Sequence, residues 1–405
     1  MRFKMIQPLI PIAGSLLGSL LLMACSTPTG VETPTENPVN SPEVGENAPI
    51  LSSGLESATA ISLNREWEQT TVLEDLEHPW GLAWLPDGTM LITERPGRLR
   101  ILRDGVLDPT PVAGLPEMLV LGQGGLLDIA VHPRFEENSL IYFTYSQGTE
   151  EANRVAVARG EFRGTSLENV EVIFQDSPLK PSGQHFGSRM VWLPDDTLLV
   201  AIGDGGNPPL ELDGELIRLQ AQNRRSHLGK IVRLNEDGSI PGDNPWVEDS
   251  DSDPAIWSYG HRNIQGLAID SQRGHVWSTE HGARGGDELN RIARGENYGW
   301  PFVTHSDEYT GGPISDRQTH PDMVDPEVVW TPAIAPSGLV VHRGDLFAGG
   351  LVSQSVHHIQ LDDSGEVVAQ RAIAIGQRVR DVREGPDGHL YVLTDAAQGR
   401  LIRLH

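Results

Sequence analysis

Apolar residues in this chain fall in short runs between turn residues, with no long stripe of helical period. Three stretches share one pattern: Gly81 to Trp84, Pro86-Asp87-Gly88, then Met90 to Thr93; Arg189 to Trp192, Pro194-Asp195-Asp196, then Leu198 to Ala201; Asp381 to Glu384, Pro386-Asp387-Gly388, then Leu390 to Leu393. Each reads as strand, tight turn, strand, because proline presets φ at the head of the turn and glycine accepts the positive φ that follows. Weaker copies begin at Asp128, Gly266 and Gly338. The six starts are separated by 47, 61, 77, 72 and 43 residues. The middle units thus exceed the roughly 40–50 residues of common propeller repeats and must carry long loops. One strand pair cannot bury its apolar face alone, whereas radially stacked four-stranded sheets can. The pattern predicts an all-β, six-bladed β-propeller with four-stranded antiparallel blades over residues 65–405; a β-sandwich pair is the alternative.

The N-terminal part lacks this pattern. Arg2 and Lys4 precede an apolar run that ends Leu22-Met23-Ala24-Cys25, which reads as a signal peptide over residues 1–24. Its ending resembles the bacterial lipoprotein signal, with Cys25 as the lipidated residue; an ordinary signal peptide with an incidental cysteine is the other reading. Residues 25–64 are rich in Ser, Thr, Pro, Asn and Glu and read as a flexible acidic tether. The expectation is an exported protein held on a membrane by lipid alone, facing the periplasm or the exterior, as a monomer or homodimer.

The whole chain has 405 residues, 31 Lys plus Arg against 56 Asp plus Glu, and a net charge of −25. With no basic run to engage phosphates, this excludes a nucleic-acid partner. The single cysteine excludes an internal disulfide, a Cys-rich zinc site and a redox pair.

Candidate chemistry lies beside the repeats. Gly122-Gln123-Gly124-Gly125 lets backbone approach a ligand while the Gln123 amide donates and accepts. His185 stands just before the third repeat and Asp204 just after its second strand, at ends that can meet; a carboxylate on one imidazole nitrogen leaves the other as a base. Glu280 to Asn290 and Asn297-Tyr298-Gly299 combine carboxylates with turn carbonyls, the hard oxygen donors calcium prefers, although a salt-bridged loop is the plainer reading. Asp249, Asp251 and Asp253 read as a solvated acidic turn. Arg378 and Arg380 share one side of a strand, where they meet either a bound anion or carboxylates of the protein.

Taken together, Gly-Gln-Gly-Gly-Leu-Leu-Asp at Gly122, His-Phe-Gly-Ser-Arg at His185, Ser-Tyr-Gly-His-Arg-Asn at Ser258, Glu-His-Gly-Ala-Arg-Gly-Gly-Asp-Glu at Glu280, Asn-Tyr-Gly-Trp-Pro at Asn297 and Arg-Val-Arg-Asp-Val-Arg at Arg378 resemble the soluble quinoprotein sugar dehydrogenases. Within these the chain is most similar to the PQQ-dependent aldose sugar dehydrogenases. The resemblance implies an oxidoreductase on a six-bladed propeller that oxidises aldose sugars to lactones with pyrroloquinoline quinone (PQQ) and calcium, passing electrons to an external acceptor of quinone or cytochrome type. It implies His185 as the base and Asp204 as its orienting partner. Gln123, Arg262, Asn263, Tyr309, Arg378 and Arg380 would hold the cofactor. Carbonyls of Gly282 and Ala283 would bind the calcium beside it, and Glu288 with Tyr298 would match a second, structural calcium. Val352 stands where the family commonly has a lysine, Ile264 where it usually has a proline, and Asn207-Pro208-Pro209 differs from glucose-specific relatives. A calcium-dependent lactonase or esterase propeller and a non-catalytic, surface-anchored binding propeller are the competing readings.

Overall fold

The computed structural model describes residues 66–405; the expected signal peptide, lipidated Cys25 and tether lie outside the described residues. Six four-stranded antiparallel sheets form the body, as the repeat pattern predicts. Their innermost strands are Pro79–Trp84, Leu126–Val131, Gly187–Trp192, Ile264–Asp270, Pro336–His342 and Val379–Glu384, each packed against the next around a closed ring. The sequence repeat is therefore the innermost strand of each blade plus its hairpin into the second.

Ring closure joins the two ends of the propeller. The sixth blade takes its outermost strand, Gln69–Leu76, from the N-terminal side, where it pairs antiparallel with Gly399–Leu404. Spare length in the third and fourth units lies in loops, as expected. One, between Ile202 and Lys230, holds a two-stranded hairpin and a short 3-10 helix; another joins Ile292 to Val328. The acidic turn is at the surface, as expected, and its Asp249, Asp251 and Asp253 each face a base, respectively Arg224, Arg225 and His227.

Apolar side chains from adjoining sheets make a series of clusters between the blades, such as Leu91, Phe143 and Ala158 between the first two. The axis is filled differently. The six equivalent repeat starts hold Gly81, Asp128, Arg189, Gly266, Gly338 and Asp381. Arg189 bridges Asp128 at 2.9 Å and Asp381 at 3.1 Å, while Arg383 reaches the same two carboxylates at 3.1 and 3.0 Å. Glycine at position 338 is required by this arrangement, because a Cβ there would overlap the Asp381 carboxylate.

Candidate active site

Innermost and second strands of a blade run antiparallel, so the start of one and the end of the other reach the same face. Gln123, His185, Arg262, Asn263 and Arg378 precede innermost strands; Asp204, Gly282 and Ala283 follow second strands. The fold thus gathers all of them at one face, opposite the Pro-Asp-Gly turns.

His185 is the most constrained residue there. Its backbone is in the left-handed region at φ 44°, a conformation that costs energy for a non-glycine residue and clusters at functional sites. Its amide donates to Gln123 Oε1 at 2.9 Å. Its Nδ1 meets Asp204 Oδ1 at 2.6 Å, and Trp300 Nε1 donates to Asp204 Oδ2 at 2.8 Å. The Gly206 amide also donates to Asp204. A carboxylate fixed from three directions selects the tautomer with the proton on Nδ1 and leaves Nε2 to accept. Burial lowers the imidazole pKa, Arg262 lowers it further, and Asp204 opposes both. Nε2 lies 3.4 Å from Asn207 Nδ2, and Asn207 Oδ1 accepts from Arg262 Nη2 at 2.7 Å. The imidazole is thus oriented through its Nδ1.

Next to it is a cavity of about 290 Å³, with Trp80, Leu127, Phe186 and Val352 among its apolar walls and Gln123, Arg95, Arg378 and Arg380 among its polar ones. Arg380 donates to Asp395 at 2.9 Å and to Gln265 at 3.0 Å, and Arg378 lies 3.6 Å from the same carboxylate. Burial alone would raise the Asp395 carboxyl; Arg380, His78 and Arg378 outweigh it and hold it well below the carboxylate range. His281, another lining residue, gives its Nε2 to the Pro336 carbonyl at 2.7 Å; burial and then Arg262 and Arg380 push its pKa to about 3, so it is neutral. Trp80 forms part of the floor and rests on the axial Arg189, whose guanidinium lies 4.3 Å from the ring centroid.

Gln123, Arg378 and Arg380 therefore line one cavity, whereas Arg262 lines a separate small one and Asn263 lines neither. Asn263 accepts from the Gly187 amide at 3.2 Å, and its buried Nδ2 has no partner. Tyr309 lies elsewhere: it is 59% exposed and lines an adjoining groove of about 610 Å³ with Gly282 and Ala283, which meets the first cavity at His281, Ala335 and Val352. Gly282 donates to Asp287 at 2.8 Å, and a Cβ there would overlap the carbonyls of Gly285 and Gly286, so glycine allows several carbonyl oxygens to crowd one spot. Glu288 and Tyr298 meet at a third, very small cavity that also touches Glu280. The Tyr298 hydroxyl is committed to the Arg291 carbonyl and the Ala293 amide. Among the described residues no cluster of three or more His, Cys, Asp or Glu side chains is arranged to hold a metal ion.

Sequence reasoning missed Arg95 and Asp395 and gave no role to His281 or Trp300. A signal exists for three of these. Arg95, His281 and Asp395 each occupy the first position past the second strand of a blade.

Fold and site together define a class: a propeller with a buried histidine–aspartate pair beside an arginine-lined cavity. Comparison with known proteins gives the family. The glucose/sorbosone dehydrogenase family profile matches residues 76–403, and the chain belongs to that family. It is 54% identical to an uncharacterised protein of Synechocystis sp., over 99% of this chain and 98% of that one. It is 37% identical to the aldose sugar dehydrogenase YliI of Escherichia coli, over 87% of this chain and 95% of the relative. The PQQ-bound aldose sugar dehydrogenase of Streptomyces coelicolor superimposes with a TM-score of 0.67 at 27% identity, covering 84% of this chain and 99% of that structure.

Proposed function

We propose that the protein oxidises the anomeric carbon of aldose sugars to lactones, using PQQ as hydride acceptor and calcium beside it, and passes the two electrons to an external acceptor. The observation that carries this reading is the buried His185–Asp204 pair, whose neighbours Phe186 and Gly187 line a cavity together with arginines. Family membership and the quinone-bound relative support it.

The residues fit the cofactor. PQQ is a planar tricarboxylate, and the cavity offers apolar walls in Trp80, Leu127 and Phe186 with guanidiniums of Arg378 and Arg380 at one side. The Gln123 carbonyl is held by the His185 amide, which leaves its NH₂ to donate into the cavity, and Asn263 Nδ2 is buried without a partner. Carbonyls of Gly282 and Ala283 are neutral oxygen donors of the kind calcium takes and would hold it beside the cofactor. When bound, PQQ supplies a two-electron acceptor ring and calcium polarises it.

The chain's own residues do the rest. His185 Nε2 accepts the proton of the sugar's anomeric hydroxyl as the C1 hydrogen leaves with its electron pair, and the C1–O bond becomes the lactone carbonyl. Asp204 stabilises the imidazolium this creates, and Trp300 fixes Asp204. Asn207 and Arg262 line the approach to Nε2 and position the sugar's hydroxyls. Glu288, pushed up by burial and by neighbouring Glu280, suits a cation shared with the Tyr298 carbonyl, and we assign it the structural calcium. The lactonase reading gives Arg378 and Arg380 no work. We also propose lipid attachment at Cys25, with residues 25–64 as the tether that presents the propeller outside the cytoplasm.

Reconstitution with PQQ and calcium tests this reading. Aldose-dependent reduction of a dye is expected; bound quinone that no aldose reduces would remove it.

A further inference from the structure

We propose that Arg95 is an anion-binding residue of the cofactor cavity, clamping a carboxylate of PQQ together with Arg378 and Arg380. The inference rests on the reading above that this cavity takes PQQ. Three guanidiniums, those of Arg95, Arg378 and Arg380, line the cavity together with one carboxylate, Asp395. Asp395 is already committed to Arg380 at 2.9 Å, to Arg378 at 3.6 Å and to His78 at 3.0 Å. Arg95 has no carboxylate at ion-pair distance among the described residues, and its guanidinium donates to the Gly122 carbonyl. A guanidinium that lines a cavity with a neutral carbonyl as its hydrogen-bond partner, and that shares the field of one carboxylate, Asp395, with two other arginines, leaves room for a further anion. Burial lowers its pKa, as do Arg380 and Arg378, while Asp395 opposes them.

The charge count gives the same result. Three arginines against one aspartate leave two formal positive charges in a chain of net charge −25. Such a local excess has one electrostatic purpose, to receive negative charge. It also accounts for Val352, an exposed apolar residue on the wall of the same cavity: Arg95 brings a cation in from the first blade, so none is needed at that position. The backbone of Arg95 is fixed independently of its side chain, its amide donating to the His78 carbonyl at 3.0 Å and its carbonyl accepting from Leu126 at 3.1 Å. Substitution of the side chain therefore leaves the strand end in place.

The test is a titration of the full-length apoprotein with PQQ in the presence of calcium, followed by fluorescence quenching, for wild type, Arg95→Gln and Arg95→Met at low and high salt. Loss of one charge-assisted contact is expected to weaken binding about 10- to 100-fold in both variants. It is also expected to flatten the salt dependence, since one fewer cation is screened. Melting midpoints of the cofactor-free variants should match wild type. Equal affinity in wild type and either folded variant would overturn the role of Arg95. Wild type that takes up no PQQ would instead overturn the cofactor reading beneath it.

Discussion

At the residue scale, the proposed reaction turns on which nitrogen of His185 is free. Asp204 and Trp300 together decide it, so their removal should act on rate rather than on sugar affinity. His185→Ala should lower kcat by about 10²- to 10⁴-fold, the usual worth of a positioned base, while the bound-quinone spectrum is kept. Trp300→Phe removes only the donor to Asp204 Oδ2; a fall of about tenfold in kcat with KM unchanged is expected, as for one lost hydrogen bond to a charged group. Steady-state kinetics on both variants separates the two effects. The pH profile carries a sign of its own. A base works deprotonated, and burial with Arg262 depresses the His185 pKa, so activity should fall only as pH drops below the ordinary imidazole value of about 6.5. Replacing Arg262 with Met removes a positive charge near the ring; the acid limb of kcat/KM should then move to higher pH.

At the scale of the blade, the strongest structural device is the ionic group on the axis. Arg189 is fully buried between Asp128 and Asp381 and supports Trp80 beneath the cavity. Arg189→Met leaves Asp128 and Asp381 with Arg383 as their remaining cation, and breaking buried pairs of this kind costs about 3–5 kcal/mol; chemical denaturation should show that loss, whereas a change under 1 kcal/mol would refute it. The fourth blade carries a second test. If Glu288 holds a structural cation, calcium should raise the melting midpoint of wild type and do so much less in Glu288→Gln, because a ligand bound only to the folded state stabilises it. Elements of this kind were partly legible in sequence. The repeat of apolar strand, turn and strand placed every innermost strand, since short apolar runs and turn chemistry are local. The axial ion group was not legible, because Asp128, Arg189 and Asp381 lie far apart in sequence and meet only when the ring closes. The same holds for Gln69–Leu76, whose partner Gly399–Leu404 lies at the opposite end of the propeller.

For the whole molecule, the repeat itself explains which site residues were readable. His185, Asp204, Gln123, Arg378 and Arg380 stand in distinctive Gly- and Arg-rich strings, and the fold brings them to one face. Arg95 and Asp395 stand in ordinary strand-end text, so only the blade geometry shows that their positions equal those of His281. Tyr309, assigned to the cofactor by resemblance alone, lies in the long loop of the fourth blade and faces the adjoining groove. Net charge changes meaning at this scale too. An acidity of −25 excludes nucleic acid in sequence, and in the structure it throws the three cavity arginines into relief as a positive site on a negative molecule.

The central claim is that His185 takes the sugar proton as hydride leaves for bound PQQ. It is tested most directly by a single turnover without an external acceptor: protein loaded with PQQ and calcium is mixed with excess aldose, and the quinone spectrum and lactone are followed together. One lactone per bound quinone in wild type is predicted, with the same spectral change slowed at least about a hundredfold in His185→Ala. A quinone spectrum that aldose leaves unchanged in wild type, or equal rates in the two proteins, would contradict the account.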